Sequence, residues 1–177
     1  MKVFRTANLS DIENIMKLEE KCFNKYTREE KKVYIERIEV FSDGFVIMEN
    51  DKKFIGTVSS EIWQYVPNID KNTFTLGHSI RNQIKLEGDE LYISSIGILP
   101  EYRDQGFGEE LFFELIKNIK SKYPRVNRGI LLLNEEWKYA RKIYLKNNFK
   151  ECTVLHGFFN ADDGTKKDGI VMRKDIL

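Results

Sequence analysis

The sequence has few cysteines, few prolines and no long apolar run, and each shortage argues against a class of protein. Its two cysteines, Cys22 and Cys152, lie far apart and form no C-x-x-C or Cys/His pattern, so we expect neither a disulfide framework nor a metal site. No segment approaches the roughly 18 apolar residues of a bilayer-spanning helix, and the start of the chain does not lead into an apolar signal segment. We therefore expect a cytoplasmic protein without a membrane partner. With three prolines and no low-complexity tract, residues 1–177 are expected to form a single domain.

The charges are balanced, which argues against a polyanionic partner. The 29 basic and 28 acidic residues give a formal net charge of +1 and are spread along the chain. Nucleic-acid binding normally requires a basic patch or stripe, so we expect no nucleic-acid partner. Acidic residues form no cluster along the chain either, and nothing in the sequence order indicates a polyamine site. Hydrophobic residues make up 41% of the chain, which is enough for a sizeable core.

The first half of the chain predicts the element order βααββ. The brief alternation in "MKVFR" indicates a strand. Ser10 with Glu13, and Thr27 with Glu30, have the spacing of capping boxes and precede apolar residues at helical intervals, so each pair predicts the start of a helix. Two apolar strands follow, and the turn at residues 50–53 between them predicts a hairpin.

Residues 64–89 are the least regular part of the sequence and are predicted to be a long connection. They combine mixed polarity with one proline and two glycines. Long loops inside compact domains usually serve a site or are disordered. The aromatic side chains of this segment either line a pocket or fix the loop to the core. Its histidine, His78, indicates neither a metal site nor catalysis by itself.

The segment "ELYISSIGIL" predicts a strand with a change of register. Its apolar residues occupy odd positions at Leu91 and Ile93, and even positions at Ile96 and Ile98. Side chains alternate between the two faces of a strand, so the change of parity near residues 94–95 indicates a β-bulge. The alternative is a strand that is buried on both faces, where parity carries little information.

The second half of the chain predicts the order βαβαββ. Helices are expected at about residues 105–123 and 137–146, each between two strands. A strand, helix, strand crossover usually produces a right-handed parallel pair. The predicted fold class is therefore α/β, with a mixed sheet and helices on both faces.

Two glycines, Gly106 and Gly108, stand directly in front of an apolar helical segment. The first amides of a helix lack intrahelical acceptors and favour an anion, and glycine lets a phosphate approach the backbone closely. Arg103 adds a planar donor fork suited to phosphate oxygens. The segment is a candidate pyrophosphate cradle, with Glu109 and Glu110 expected to point to solvent. A purely structural turn is the alternative, while the dinucleotide and Walker patterns are incomplete or absent.

The stretch "IGILPEYRDQGFGEEL" resembles the acyl-CoA signature [RQ]-x-x-G-x-[GA] of the GNAT superfamily of N-acetyltransferases, and "ARKIYLKNNF" is similar to the family's A-x-x-x-Y-x-K-x-G-F segment. The opening strand and helix are similar as well, so the resemblance spans the chain. It implies a GNAT-like central mixed sheet of seven strands, in which a bulged central strand splays from its neighbour. It also implies acetyl-CoA as cosubstrate. Two departures are Trp137, where the family often has a cofactor-binding asparagine, and Asn148, where glycine is frequent.

The resemblance implies which residues bind the cosubstrate. Backbone groups of Ile96 and Ile98 would bind pantetheine, and the side chain of Arg103 would assist in holding the pyrophosphate. Asn134 lies near the position of the family asparagine, although it is out of register. The pyrophosphate itself would be held by the amides of Gln105, Gly106, Phe107, Gly108 and Glu109.

The resemblance further implies a reaction in which a primary amine attacks the thioester directly in a ternary complex. Tyr144 aligns with the family tyrosine near the cofactor sulfur and is the candidate acid, because a phenol with a pKa of about 10 can protonate a thiolate whose conjugate acid is near about 8.5. Its alternative role is packing of the last helix. Glu90 is the candidate base or else a solvated charge at a strand end, and Tyr92 with Ser94 forms a candidate proton relay.

The expected function is an N-acetyltransferase whose acceptor is a small-molecule amine or a peptide N-terminus. A non-catalytic module that senses acyl-CoA is the alternative function. Because related proteins often dimerise, a homodimer is one assembly that the resemblance allows.

Overall fold

The computed structural model describes residues 1–175 and contains one seven-stranded sheet. The strand order is β1-β2-β3-β4-β5-β7-β6, and every neighbouring pair is antiparallel except β4 and β5. The mixed α/β sheet expected from the crossover is thereby confirmed. The strands are β1 (Lys2–Thr6), β2 (Phe45–Asn50), β3 (Lys53–Trp63), β4 (Glu90–Ile98), β5 (Arg128–Asn134), β6 (Lys150–Asn160) and β7 (Lys166–Lys174), and the helices are α1 (Ile12–Cys22), α2 (Lys31–Phe41), α3 (Ile80–Gln83), α4 (Phe107–Lys122) and α5 (Lys138–Lys146).

Helices cover both faces of the sheet, as the sequence predicted. Along β2, Val46 and Met48 pack with the apolar residues of α4, while Phe45 and Ile47 pack with those of α1 and α2. Successive side chains of a strand point to opposite faces, so α4 lies on one face and the α1–α2 pair on the other. No helix within residues 1–175 is long and apolar enough to cross a bilayer.

The helix starts differ from the predicted capping boxes. A short 3₁₀ turn precedes α1, and its box is formed by Asn8 and Asp11 rather than by Ser10 and Glu13: Asn8 accepts from the Ser10 amide, and Asp11 accepts from the Asn8 amide. The predicted pair was wrong because Asp11 is held in place by a bidentate ion pair with Arg5 on β1. Spacing in the sequence alone does not distinguish between two capping boxes that begin two residues apart.

The second predicted capping box was wrong as well. The α2 helix begins at Lys31 after an extended Glu30, and no side chain caps it. The hydroxyl of Thr27 instead donates to Asn24, within a turn that joins α1 to α2. The β2–β3 hairpin is confirmed: its two turn residues, Asp51 and Lys52, both have positive φ, as a two-residue turn between twisted strands requires.

The connection between β3 and β4 has more structure than the sequence indicated. It contains a 3₁₀ turn and the four-residue helix α3. The carboxylate of Glu36 on α2 accepts from the hydroxyl of Ser79 and from the amide of Ile80 at the start of α3. Phe74 is buried against Trp63 on β3, so the loop is fixed both to α2 and to the sheet.

The central strand β4 carries the predicted bulge and separates from β5. The β3–β4 pairing shifts between Ser59 opposite Ser95 and Ser60 opposite Ile93, which leaves Ser94 without a partner in that ladder. On its other side, β4 pairs with β5 only as far as Ile93. The part of β4 that follows, to its end at Ile98, has no strand beside it on that side. This gap between two strands is the architectural basis of the site.

Candidate active site

A cavity of about 500 Å³ lies at the gap between β4 and β5. Its walls come from both faces of the sheet, because the strands that would separate the faces have parted there. One side is formed by α4 and α5, including Phe112, Ile143 and Tyr144, and the other by the region of α1 and α2, including Glu19 and Tyr34. The cavity therefore allows two reactants that approach from opposite faces to meet.

The exposed backbone of β4 forms one wall of the cavity. The amide of Leu99 donates to Ile55 on β3, so Leu99 directs its backbone groups towards β3. The N–H and C=O groups of successive residues point to alternate sides of a strand, so those of Ile96 and Ile98 point into the gap. The Ile98 carbonyl accepts from Arg103 Nε at 3.2 Å. Ile96 and Ile98 both line the cavity.

The start of α4 forms a second wall. Gly106 precedes the helix with φ of +80°, and an added Cβ there would meet no atom within 4 Å. No side chain caps the helix, and Gly106, Phe107 and Gly108 all line the cavity. Glu109 points away from the cavity, and its carboxylate accepts hydrogen bonds from Lys146 and Asn147. The first amides of α4 thus face the cavity without a competing carboxylate, which suits an anion.

Three predicted cofactor residues differ in where they lie relative to the cavity. Arg103 lines the cavity, but its guanidinium donates to the Ile98 carbonyl and lies 3.4 Å from Cys22 Sγ. Gln105 is exposed and is not part of the cavity wall. Asn134 is buried behind the wall, where its side chain accepts from the Glu136 amide.

Tyr144 on α5 is buried at the cavity and keeps a free hydroxyl. The residue is 3% exposed, and its ring packs edge-on against Phe112 and Phe149. Among residues 1–175 nothing forms a hydrogen bond with the hydroxyl, and burial raises the pKa of the phenol above its usual value. The phenol is therefore protonated at neutral pH and available to a group in the cavity.

The two other predicted catalytic residues lie in different places. Glu90 is 1% exposed and is not part of the cavity wall; Arg173 holds it, with Nη2 3.1 Å from Oε2. Burial raises the pKa of Glu90, an effect that the charge of Arg173 opposes. Tyr92 does line the cavity, and its ring stacks on Trp63 at 4.1 Å. The structure thus brings Tyr92, but not Glu90, into the same cavity as Tyr144.

Buried carboxylates that the sequence order did not reveal lie at the α1–α2 side of the cavity. Glu19 on α1, Glu29 in the following turn and Glu61 on β3 form what we term the acidic cluster. The order of residues along the chain did not show this cluster, because three separate segments contribute to it. Within residues 1–175, no group of histidine, cysteine and acidic side chains is arranged to hold a metal ion.

Two cations partly neutralise the acidic cluster. Arg37 makes a bidentate contact with Glu29, at 2.5 and 3.0 Å, and its Nε lies 3.9 Å from Glu61. His78 binds Glu61 through Nε2 at 2.7 Å, and its Nδ1 lies 2.8 Å from the Thr75 carbonyl. Both ring nitrogens of His78 therefore have partners, and neither is free for a substrate.

Comparison with known proteins agrees with this geometry. A family model described as "Acetyltransferase (GNAT) family" matches residues 12–149, which include α1, the splayed strand, the glycine-rich start of α4 and Tyr144. The chain belongs to the GNAT family of acetyltransferases. This establishes an acyltransferase and agrees with the fold that the sequence resemblance implied.

Individual relatives of this GNAT acetyltransferase differ in how much of the chain they match. A ribosomal protein bS18 alanine N-acetyltransferase from Haemophilus influenzae is 31% identical over 84 residues, 48% of this chain and 56% of that protein. The loading GNATL domain of CurA from Lyngbya majuscula superposes with a TM-score of 0.81 at 16% identity, over 99% of this chain and 98% of that one. Arabidopsis thaliana NAA60 with a bisubstrate analogue gives 0.75 at 20% identity, over 98% and 97% of the chains.

The family assignment gives the cavity of this GNAT acetyltransferase a chemical interpretation. Its α4–α5 side offers free amides, which suit an anion, and a protonated phenol, which can donate a proton to a leaving group. Its α1–α2 side offers buried carboxylates, which suit a cation. The first side coincides with a contiguous sequence motif, whereas the second is formed by residues from separate segments of the chain.

Proposed function

We propose that the protein transfers an acetyl group from acetyl-CoA to a primary amine. The observation that carries the proposal is the single cavity in which the uncapped start of α4, the free backbone of β4 and the Tyr144 hydroxyl meet. The amine acceptor is supported by the relative from Haemophilus influenzae, which is named as an alanine N-acetyltransferase.

The residues of the cavity fit an acyl-CoA. The amides at the start of α4 would hold the pyrophosphate, because Gly106 leaves open space in front of them. Backbone groups of Ile96 would bind the pantetheine amides as a strand would, since no protein strand competes for them. Arg103 lies at the same end and would add positive charge.

The proposed chemistry needs no covalent enzyme intermediate, because the thioester is already activated. The neutral amine attacks the carbonyl carbon, a C–N bond forms and the C–S bond breaks. Tyr144 donates its proton to the departing sulfur and regains one from the amide nitrogen, so the phenol is restored. Neither cysteine takes part.

The decisive experiment measures acetyl-CoA binding by calorimetry and thiol release with a panel of primary amines. Gly106→Glu places a negative charge in the cradle, and we expect at least a tenfold loss of acetyl-CoA affinity because the carboxylate repels the pyrophosphate. The backbone strain of about 1–2 kcal/mol from a side chain at positive φ should be tolerated.

Gly164→Glu is the matched control. Gly164 also has positive φ (+83°) and open space around it, but it lies in the turn between β6 and β7. The control variant therefore introduces the same strain and charge away from the cavity, and it should bind acetyl-CoA like the wild type. Equal affinity of the two variants would refute the cradle. Tight binding without thiol release from any amine would instead identify a non-catalytic acyl-CoA sensor.

A further inference from the structure

Glu19 is the carboxylate of the acidic cluster that no cation neutralises. It is 3% exposed and lines the cavity, yet it forms no ion pair within residues 1–175. Glu29 is neutralised by Arg37, and Glu61 is bound by His78. A buried carboxylate without a counterion is costly unless the site provides a cation when it is in use.

The groups that face Glu19 come from three elements. The Glu29 amide donates to it at 3.3 Å, and the hydroxyl of Tyr34 on α2 lies against it. Arg37 and Cys22 are close enough to interact through charge. Burial raises the pKa of Glu19 to about 7, and the charge of Glu29 adds to the effect while Arg37 opposes it.

A second, independent feature of the same cavity also indicates a missing ligand. Tyr92 is 9% exposed and lines the cavity, but nothing within the described chain forms a hydrogen bond with its hydroxyl. Buried hydroxyl groups usually have a partner. An unpartnered phenol that lines the same cavity as a carboxylate without a counterion is the arrangement that a bound ammonium group would complete.

We infer that the acceptor is an alkylamine that binds as its ammonium form, and that Glu19 binds this ammonium group and takes one proton from it. The inference rests on the proposed acetyl transfer. The ammonium group loses one proton to Glu19 and a second to the sulfur through Tyr144, so an ammonium ion and a thioester give an amide and a thiol. Glu19 then releases its proton to water.

The test uses Glu19→Gln, which keeps the shape of the side chain and removes the charge and the basic oxygen. We expect kcat/KM for 1,4-diaminobutane and for a peptide with a free N-terminal alanine to fall about 10²-fold at pH 7.5, the usual contribution of a positioned base. Glu20→Gln is the matched control, because Glu20 is the exposed neighbour on the same helix. Its activity should equal that of the wild type.

The pH profile separates a catalytic carboxylate from a structural one. For the wild type with 1,4-diaminobutane, kcat/KM should rise through a limb near pH 7, level off, and fall again as the pH approaches the pKa of the amine, because the ammonium form is the substrate. Glu19→Gln should lose this limb and rise tenfold per pH unit towards the pKa of the amine, because it depends on neutral amine from solution. Its thermal stability should not fall, since the substitution removes a buried charge.

The outcomes distinguish this inference from the proposed function. Thiol release by Glu19→Gln at the wild-type rate, with the limb near pH 7 retained, would overturn the role of Glu19 and leave the transferase standing. Absence of thiol release by the wild type with every amine would overturn the transferase and this inference together.

Discussion

At the scale of single residues, Tyr144 combines two properties that rarely occur together in a core side chain. Its ring is packed between aromatic neighbours, and its hydroxyl has no partner among the described residues. Deleting an unpartnered hydroxyl costs little stability, because no hydrogen bond is lost. The packing role and the acid role of Tyr144 therefore predict different results for the same substitution.

Tyr144→Phe is expected to lower kcat about 10²-fold, to leave KM for acetyl-CoA unchanged and to keep the free energy of unfolding within about 0.5 kcal/mol of the wild type. The comparison variant is Tyr123→Phe, which removes a hydroxyl that donates to Asp43 away from the cavity. That variant should lose about 1 kcal/mol of stability and no activity. Steady-state kinetics and urea unfolding measure both quantities. Full activity of Tyr144→Phe would show that Tyr144 has a packing role and no acid role.

At the scale of elements, the loop between β3 and β4 depends on the His78–Glu61 pair. Burial lowers the pKa of His78, but the hydrogen bond and charge of Glu61 outweigh this effect, and the pKa is raised from 6.5. The nearby positive charge of Arg37 lowers the pKa of His78 and so opposes the effect of Glu61. Stability from this pair is fully present below the unfolded pKa and is lost as the pH rises through the higher folded value.

The difference in unfolding free energy between the wild type and His78→Gln should therefore shrink between pH 6 and pH 9. His156→Gln is the control, because His156 is an exposed partner of Asp168 and an exposed contact of this kind contributes little. Urea unfolding at several pH values gives the differences, and hydrogen exchange shows whether the loop amides respond first. A difference for His78→Gln that stays constant or grows with pH would contradict the prediction.

The elements also show what the sequence could and could not predict. The glycine turn in front of α4 and the β4 bulge were predictable, because glycine spacing and side-chain parity are local properties of a short segment. The helix starts were not, since the choice of Asp11 as a capping residue depends on Arg5 from another element. Asn134 and Glu90 were assigned without knowledge of their tertiary partners, and those partners place both outside the cavity wall.

The acidic cluster illustrates the same limit. Its members come from α1, the turn after it and β3, so no window of the sequence contains them together. One signal was present: Glu19 stands four residues after Ile15 and seven after Ile12, on the apolar face of α1. An acidic residue at such a position is predicted to be buried, and a buried carboxylate requires a partner or a function.

At the scale of the whole molecule, the site is a defect in an otherwise continuous sheet. Apart from the bulge at Ser94, β4 is paired with β3 on its other side, and β5 is paired with β7. The strands β4 and β5 part after Ile93 and leave backbone groups and a cavity between them. Side chains of helices on both faces of the sheet line the cavity at this gap. Occupying the gap should therefore stabilise the entire fold and not only the residues that touch the ligand.

We accordingly expect coenzyme A at 100 times its dissociation constant to raise the free energy of unfolding by about 2.7 kcal/mol. For a chain of this size that corresponds to a rise in Tm of about 5 to 10 °C. Gly164→Glu should show the same rise from a slightly lower starting Tm, whereas Gly106→Glu, with an affinity at least tenfold lower, should show at most about half of it at that concentration. Scanning calorimetry with and without coenzyme A measures the shift. Because the measurement requires no turnover, an equal rise in all three proteins would show that coenzyme A binds elsewhere, whatever the amine acceptor.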